Sequence, residues 1–188
     1  IIDKPAITPD GLTLVGFAIG VLALPFLALG WYPAALAVIV LNRLFDGLDG
    51  ALARRRGLTD AGGFLDISLD FLFYALVPFG FMLADPAANS LAGGWLLFAF
   101  MGTGSSFLAF AALAAKHQID NPGYAHKSFY YLGGLTEGTE TILLFVLGCL
   151  FPEYFAVMAW VFGALCWMTT FTRIWSGYLT LKAVQRQA

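Results

Sequence analysis

The chain has 188 residues, of which 60% are hydrophobic, 16% aromatic and 12% charged, with a net charge of −2. Soluble domains carry about 25% charged residues, so this composition, with a mean hydropathy of +0.79, excludes an ordinary soluble domain and fits a polytopic membrane protein. Cys149 and Cys166 lie in apolar segments, which excludes a disulfide framework and a cysteine-based metal site.

Six apolar stretches follow in chain order, at 11–29, 33–55, 62–84, 92–116, 133–150 and 153–181. Each can supply the ~20 helical residues that a hydrocarbon core requires. The expected fold is therefore all-α, with six transmembrane helices in a single domain over 1–188. The chain opens Ile1-Ile2-Asp3-Lys4-Pro5 without Met and is expected to lack some native N-terminal residues. The first helix is entered through Thr8-Pro9-Asp10-Gly11-Leu12-Thr13, which reads as an N-cap. Gly30 and Pro33 break the first stretch from the second. The second stretch carries Arg43, Asp46, Asp49, Gly50 and Arg54, and ends in a basic run, Arg54-Arg55-Arg56. The third carries Gly62, Asp66 and Asp70, and stops at Asp85-Pro86. Asp120-Asn121-Pro122-Gly123 lies in the fourth connection, and Pro152 separates the last two stretches.

Charge placement sets the expected orientation. Both chain ends and the even-numbered connections hold Lys4, Arg54, Arg55, Arg56, Lys116, Lys127, Lys182 and Arg186. The odd-numbered connections hold no Lys or Arg. By the positive-inside rule both termini are cytoplasmic, as are the 54–61 and 117–132 connections. Trp31, Tyr32, Trp95, Tyr154 and Trp160 fall near the expected outer boundary, where aromatic belts form.

Four carboxylates in two apolar stretches need compensation, because a charge at a helix centre costs ~2.5–3.5 kcal/mol on insertion scales. Asp46 and Asp49 are three apart, and Asp66 and Asp70 four apart, so each pair shares one helix face. The connection between the two helices is short, so they are expected to be antiparallel neighbours whose acidic faces meet. Hard oxygen ligands of this kind suit Mg²⁺ or Mn²⁺, with Ca²⁺ as a possible occupant. Two such ions ~4 Å apart form a clamp for displacement at phosphorus. The bland alternative is ion pairing of the aspartates with Arg43 and Arg54 to Arg56. A second is an ion pathway, which also uses intramembrane acids.

The frame Asp-x-x-Asp-Gly-x-x-Ala-Arg followed by Gly-x-x-x-Asp-x-x-x-Asp resembles the signature of the CDP-alcohol phosphatidyltransferases. Its fixed positions are Asp46, Asp49, Gly50, Ala53, Arg54, Gly62, Asp66 and Asp70. The resemblance implies that Asp46, Asp49, Asp66 and Asp70 hold two divalent cations and that Asp70 is also the general base. It implies that Gly50, Arg54 and Thr59 hold the CDP part of the donor. The segment from Thr8 to Thr13 resembles the family's Thr-Pro-Asn-x-x-Thr entry, with Asp10 where Asn is common, so Thr8, Pro9, Asp10 and Gly11 would also contact CDP. The implied donor is CDP-diacylglycerol, the implied product a phospholipid with release of CMP, and the implied assembly a homodimer. No nucleic-acid partner is expected. The expected location is a bacterial-type inner membrane, with the site open to the cytoplasm.

The acceptor is less specified. Relatives that take a phosphorylated acceptor often show Ser-x-x-basic-Ala-basic on the fourth helix. This chain has Ser106-Phe107-Leu108-Ala109-Phe110-Ala111, with alanines at both basic positions. An acceptor phosphate needs Arg or Lys to offset its charge, so a free polyol or the headgroup of another lipid is the favoured acceptor, with a polyol phosphate as the alternative. Glu137, Glu140 and Arg173 are the candidate acceptor residues, and Lys116, Lys127 and His126 are alternative cations. His117 and His126 otherwise read as solvated loop residues. Two rival functions remain: a phosphotransferase using CDP-choline or CDP-ethanolamine on diacylglycerol, and a divalent-metal transporter built on the same aspartates.

Overall fold

A computed structural model describes residues 7–117, 119 and 135–186. The described residues form helices and no strands: α1 (Pro9–Val21), α2 (Ala23–Ala28), α3 (Tyr32–Arg56), α4 (Asp60–Ala84), α5 (Pro86–Lys116), α6 (Gly138–Leu150) and α7 (Phe155–Gln185). The all-α expectation holds. Lys4, His126, Lys127 and most of the 117–132 connection lie outside the described residues.

Among the described residues, four segments are long and apolar enough to cross a membrane: Pro9–Ala28, Asp60–Ala84, Pro86–Lys116 and Pro152–Val184. The other two expected spans differ in kind. α3 has 25 residues, long enough to cross, but it carries the arginines and aspartates of the acidic frame. α6 has 13 residues, or ~20 Å of helix, which is shorter than a hydrocarbon core of ~30 Å.

Local chemistry explains the boundaries. The first apolar stretch is two helices rather than one, divided at Leu22. Pro25 has no N–H to give the carbonyl four residues back, so the helix ahead of it loses a bond and tightens. Gly30 turns the chain with φ +70°, a conformation that suits glycine. α3 ends at Gly57, with φ +102°, and Thr59 caps α4 two residues later by accepting from the Gly62 N–H at 3.1 Å.

The expectation that α3 and α4 pack as neighbours needs correction. α1 packs extensively on α3 and also on α4, and α2 contacts both, whereas α3 and α4 make few close backbone approaches. The first span, α1 continued by α2, lies between them, so the acidic faces meet across a cleft. The close seating of α1 on α3 uses glycines: a Cβ on Gly16 would lie 2.7 Å from the Phe45 Cβ, and one on Gly20 would lie 2.9 Å from the Asn42 amide nitrogen. The apolar core lies on the side of the cleft away from the basic run, around Leu27, Ile39, Phe73, Val77, Phe81, Phe145 and Phe155. Phe81 and Phe155 stack with ring centres 4.0 Å apart. α5 and α7 form the other extensive helix pair.

Candidate active site

The cleft is lined from three helices: by Thr13, Gly16 and Phe17 of α1, by Asn42, Arg43, Asp46 and Asp49 of α3, and by Asp66, Leu69 and Asp70 of α4. All four aspartates of the signature therefore converge. Asp46, Asp49 and Asp66 each present a carboxylate oxygen, and these atoms all lie within 4.8 Å of one another. Three hard oxygens at that spacing fit a divalent cation, and their mutual repulsion needs one or an equivalent positive charge.

The aspartates are held in different ways. Asp49 is 4% exposed and accepts a 2.6 Å hydrogen bond from the Thr13 hydroxyl, which locks an oxygen toward α1. Asp46 is within 3.6 Å of Arg43 on its own helix. Asp70 stands apart from the cluster of three: its Oδ1 accepts from the Arg43 guanidinium at 2.8 Å, and its Oδ2 accepts from the Tyr74 hydroxyl at 3.2 Å. The ion pairing weighed as a bland alternative thus exists for Arg43, but it engages Asp70 and Asp46 and not Asp49 or Asp66.

The residues expected to contact CDP gather at the basic end of the cleft. Thr8 caps α1 by accepting from the Gly11 N–H at 3.1 Å, and Pro9 occupies the first turn. Asp10 approaches the start of α4 so closely that a Cβ on Gly62 would lie 3.1 Å from its carboxylate and 3.0 Å from the Thr59 hydroxyl. The N-termini of α1 and α4 therefore stand side by side, which concentrates unpaired N–H groups and positive dipole ends. Arg54 folds back over Gly50, whose missing side chain leaves room for it: a Cβ there would meet the guanidinium at 3.3 Å. Arg56 donates to the Ile7 carbonyl, tying the end of α3 to the entry of α1.

The candidate acceptor residues do not line the cleft. Glu140 accepts from the Glu137 N–H at 3.0 Å, and the two side chains form a reciprocal capping box on α6. Arg173 is 8% exposed. It donates to the Thr103 carbonyl at 3.0 Å, lies over the Phe107 ring and is close enough to Glu137 for mutual attraction. This group nevertheless borders the cleft, since the backbone of Gly138 stands so near Tyr74 that a Cβ would lie 3.1 Å from its hydroxyl.

Sequence reasoning passed over Thr13, Asn42 and Tyr74, and took Arg43 as a mere counter-ion. Thr13 was visible within the entry motif, and Arg43 as an arginine inside an apolar stretch. Nothing in the spacing marked Asn42 or Tyr74.

Residues 6–175 match the sequence profile of a family described as CDP-alcohol phosphatidyltransferase. Over 187 residues the chain is 88% identical to inner membrane protein YnjF of Escherichia coli (strain K12), spanning 100% of this chain and 91% of that one. It is 28% identical over 177 residues to archaetidylinositol phosphate synthase of Pyrococcus horikoshii, spanning 94% of this chain and 86% of the relative. Its fold matches that of Mycobacterium tuberculosis phosphatidylinositol phosphate synthase PgsA1 with CDP-DAG bound, at a TM-score of 0.66 and 24% identity, covering 92% of this chain and 87% of that one. It matches the same protein in complex with manganese and citrate at a TM-score of 0.67 and 23% identity, covering 92% and 83%.

Proposed function

The chain belongs to the CDP-alcohol phosphatidyltransferase family of enzymes, and we propose that it transfers a phosphatidyl group from CDP-diacylglycerol to an alcohol, releasing CMP. The observation that carries this reading is the convergence of Asp46, Asp49 and Asp66 within 4.8 Å, beside Asp70, in a cleft with two helix N-termini at its mouth.

Mg²⁺ or Mn²⁺ held by Asp46, Asp49 and Asp66 would supply charge neutralisation at the donor's pyrophosphate. Arg54, Gly50, Thr59 and the entry segment Thr8, Pro9, Asp10 and Gly11 bind the CDP part. The paired N-termini of α1 and α4 favour its phosphates by dipole and N–H contact. Asp70 takes the proton of the acceptor hydroxyl as its oxygen attacks the phosphorus next to the lipid. The bond from that phosphorus to CMP breaks, and CMP leaves toward the basic end. Tyr74 and Arg43 orient the Asp70 carboxylate toward the attacking group, since positioning is the larger part of such catalysis.

The acceptor enters from the side of Tyr74 and the start of α6, where Glu137 and Arg173 stand. A non-phosphorylated acceptor is favoured because Arg43 is the cation lining the cleft around the aspartates, and it already contacts two carboxylates. A phosphorylated acceptor is the second reading, favoured by the likeness to the Pyrococcus archaetidylinositol phosphate synthase. The enzyme acts as a homodimer, each chain a single domain, in the inner membrane with both termini cytoplasmic.

The test is CMP release from CDP-diacylglycerol by purified protein with Mg²⁺ or Mn²⁺ and a panel of free and phosphorylated alcohols. Products are weighed by mass spectrometry, and Asp66→Asn serves as control. Acceptor-dependent CMP release that the control loses supports the reaction, and the product mass names the acceptor. Release from CDP-choline with diacylglycerol instead would reverse donor and acceptor. Metal flux into vesicles without CMP release would replace the enzyme with a transporter.

A further inference from the structure

α6 is a short helix, ~20 Å long, whose far end adjoins the start of α7. Its first turn therefore falls within a hydrocarbon core of ~30 Å rather than at the edge. Water does not solvate a stray hydroxyl at that depth. The two residues ahead of the helix are both engaged with α7. The hydroxyls of Thr136 and Thr169 share a hydrogen bond of 3.0 Å, and the two residues are 6% and 1% exposed. Glu137 is drawn toward Arg173, which lies four residues beyond Thr169 and so one turn along the same face of α7. Close backbone approach between α6 and α7 is sparse, so side-chain bonds carry the link, as hydroxyls commonly do between membrane helices.

The turn they hold is stiff. Glu140 accepts from the Glu137 N–H at 3.0 Å, the Glu137 side chain completes the capping box, and the Thr141 hydroxyl donates to the Glu137 carbonyl at 2.8 Å. A shift at Thr136 thus moves the first turn of α6 as a unit. The same turn abuts α4, where a Cβ on Gly138 would lie 3.1 Å from the Tyr74 hydroxyl. Neither threonine is among the residues that line the cleft. We propose that Thr136 and Thr169 are positioning residues for the acceptor. Their hydroxyl bond sets how close the start of α6 stands to Tyr74, and with it the width of the acceptor entrance. The inference rests on the phosphatidyl-transfer reading and on acceptor entry from that side. The CDP part of the donor binds at the basic end of the cleft, on α1, α3 and α4, so the bond governs the acceptor and not the donor.

The test measures KM for CDP-diacylglycerol and for the alcohol that wild type uses fastest, by CMP release with Mg²⁺ or Mn²⁺. The proteins are wild type, Thr136→Val, Thr169→Val, the double valine variant, Thr136→Ser and Thr169→Ser. Each valine variant is expected to raise the acceptor KM roughly three- to tenfold, the range that one hydroxyl bond between membrane helices supports, at unchanged KM for CDP-diacylglycerol. The serine variants keep the hydroxyl and are expected to restore wild-type values. The double variant is expected to be no worse than either single one, because both singles lose the same bond. Valine variants with both KM values unchanged, or with both raised together, would overturn the inference and leave the reaction reading intact. Serine variants as impaired as the valine ones would also overturn it, by assigning the effect to packing. A wild type that releases no CMP with any acceptor would overturn both readings. Where a valine variant does not fold, Thr136→Ala and Thr169→Ala carry the same comparison.

Discussion

Thr13 shows how one hydroxyl ties a helix entry to the chemistry. Its 2.6 Å bond to Asp49 crosses from α1 to α3 and fixes one oxygen of the three-carboxylate cluster. Hydrogen bonds to charged groups contribute ~1.5–3 kcal/mol, and each ~1.4 kcal/mol is tenfold in rate or binding. Thr13→Val keeps the volume and removes the donor. The variant is expected to fold, to bind Mn²⁺ about tenfold more weakly and to lose turnover in proportion. Mn²⁺ titration beside a CMP-release assay measures both, and unchanged Mn²⁺ affinity would remove Thr13 from the site. Glu140 poses the opposite case, a conspicuous acid with a structural bond. Glutamine also serves at the third helical position of a capping box. Glu140→Gln is therefore expected to leave stability and acceptor KM near wild type, whereas Glu140→Ala loses ~1 kcal/mol of stability with the cap. A raised acceptor KM in Glu140→Gln at unchanged stability would return this carboxylate to the acceptor site.

At the level of elements, the cleft exists because α1 and α2 hold α3 and α4 apart. Small residues set that spacing. Gly16 meets Phe45 at the Cβ, which is not the movable end of a side chain, so a larger residue must displace α1 as a whole. Gly16→Val is expected to cost ~1–3 kcal/mol by overpacking. Because the same helix carries Thr13 and the carbonyl that anchors Asn42, it should also weaken Mn²⁺ binding. Thermal unfolding in detergent and the Mn²⁺ titration together check this, and a destabilised variant with full Mn²⁺ affinity would show that α1 packing and the site are uncoupled. This wedge was not legible in the sequence. Adjacent apolar stretches joined by a short link read as packed neighbours, and only the three-dimensional path of the first span places it between them. The break at Leu22 was missed for a simpler reason, that Pro25 lies within an otherwise unbroken apolar run. The aspartates were legible because charge in an apolar stretch is conspicuous and helical spacing assigns the faces. The bonds of Arg43, Asn42 and Tyr74 were not, since they depend on which helices approach across the cleft.

For the whole molecule, the polar cleft and the basic residues fall at the same end. Arg54, Arg55 and Arg56 close α3, Lys116 closes α5 and Lys182 lies in the last turn of α7. α5 and α7 have 31 residues each, or ~46 Å of helix, so both exceed a hydrocarbon core of ~30 Å. The proposed orientation puts their surplus length at the end that carries Lys116 and Lys182, facing the cytoplasm. The opposite end shows exposed Trp31 and Tyr154, as an aromatic boundary should. Single cysteines report the orientation without disturbing the site, because the native Cys149 and Cys166 are buried. Ala88 is exposed in the turn that begins α5, and Leu58 is 78% exposed between α3 and α4. In spheroplasts, Ala88→Cys is expected to react with a membrane-impermeant maleimide directly, and Leu58→Cys only after lysis. The reverse pattern would place the cleft on the outer face, where no CDP-linked donor is made, and would remove the proposed reaction along with the orientation.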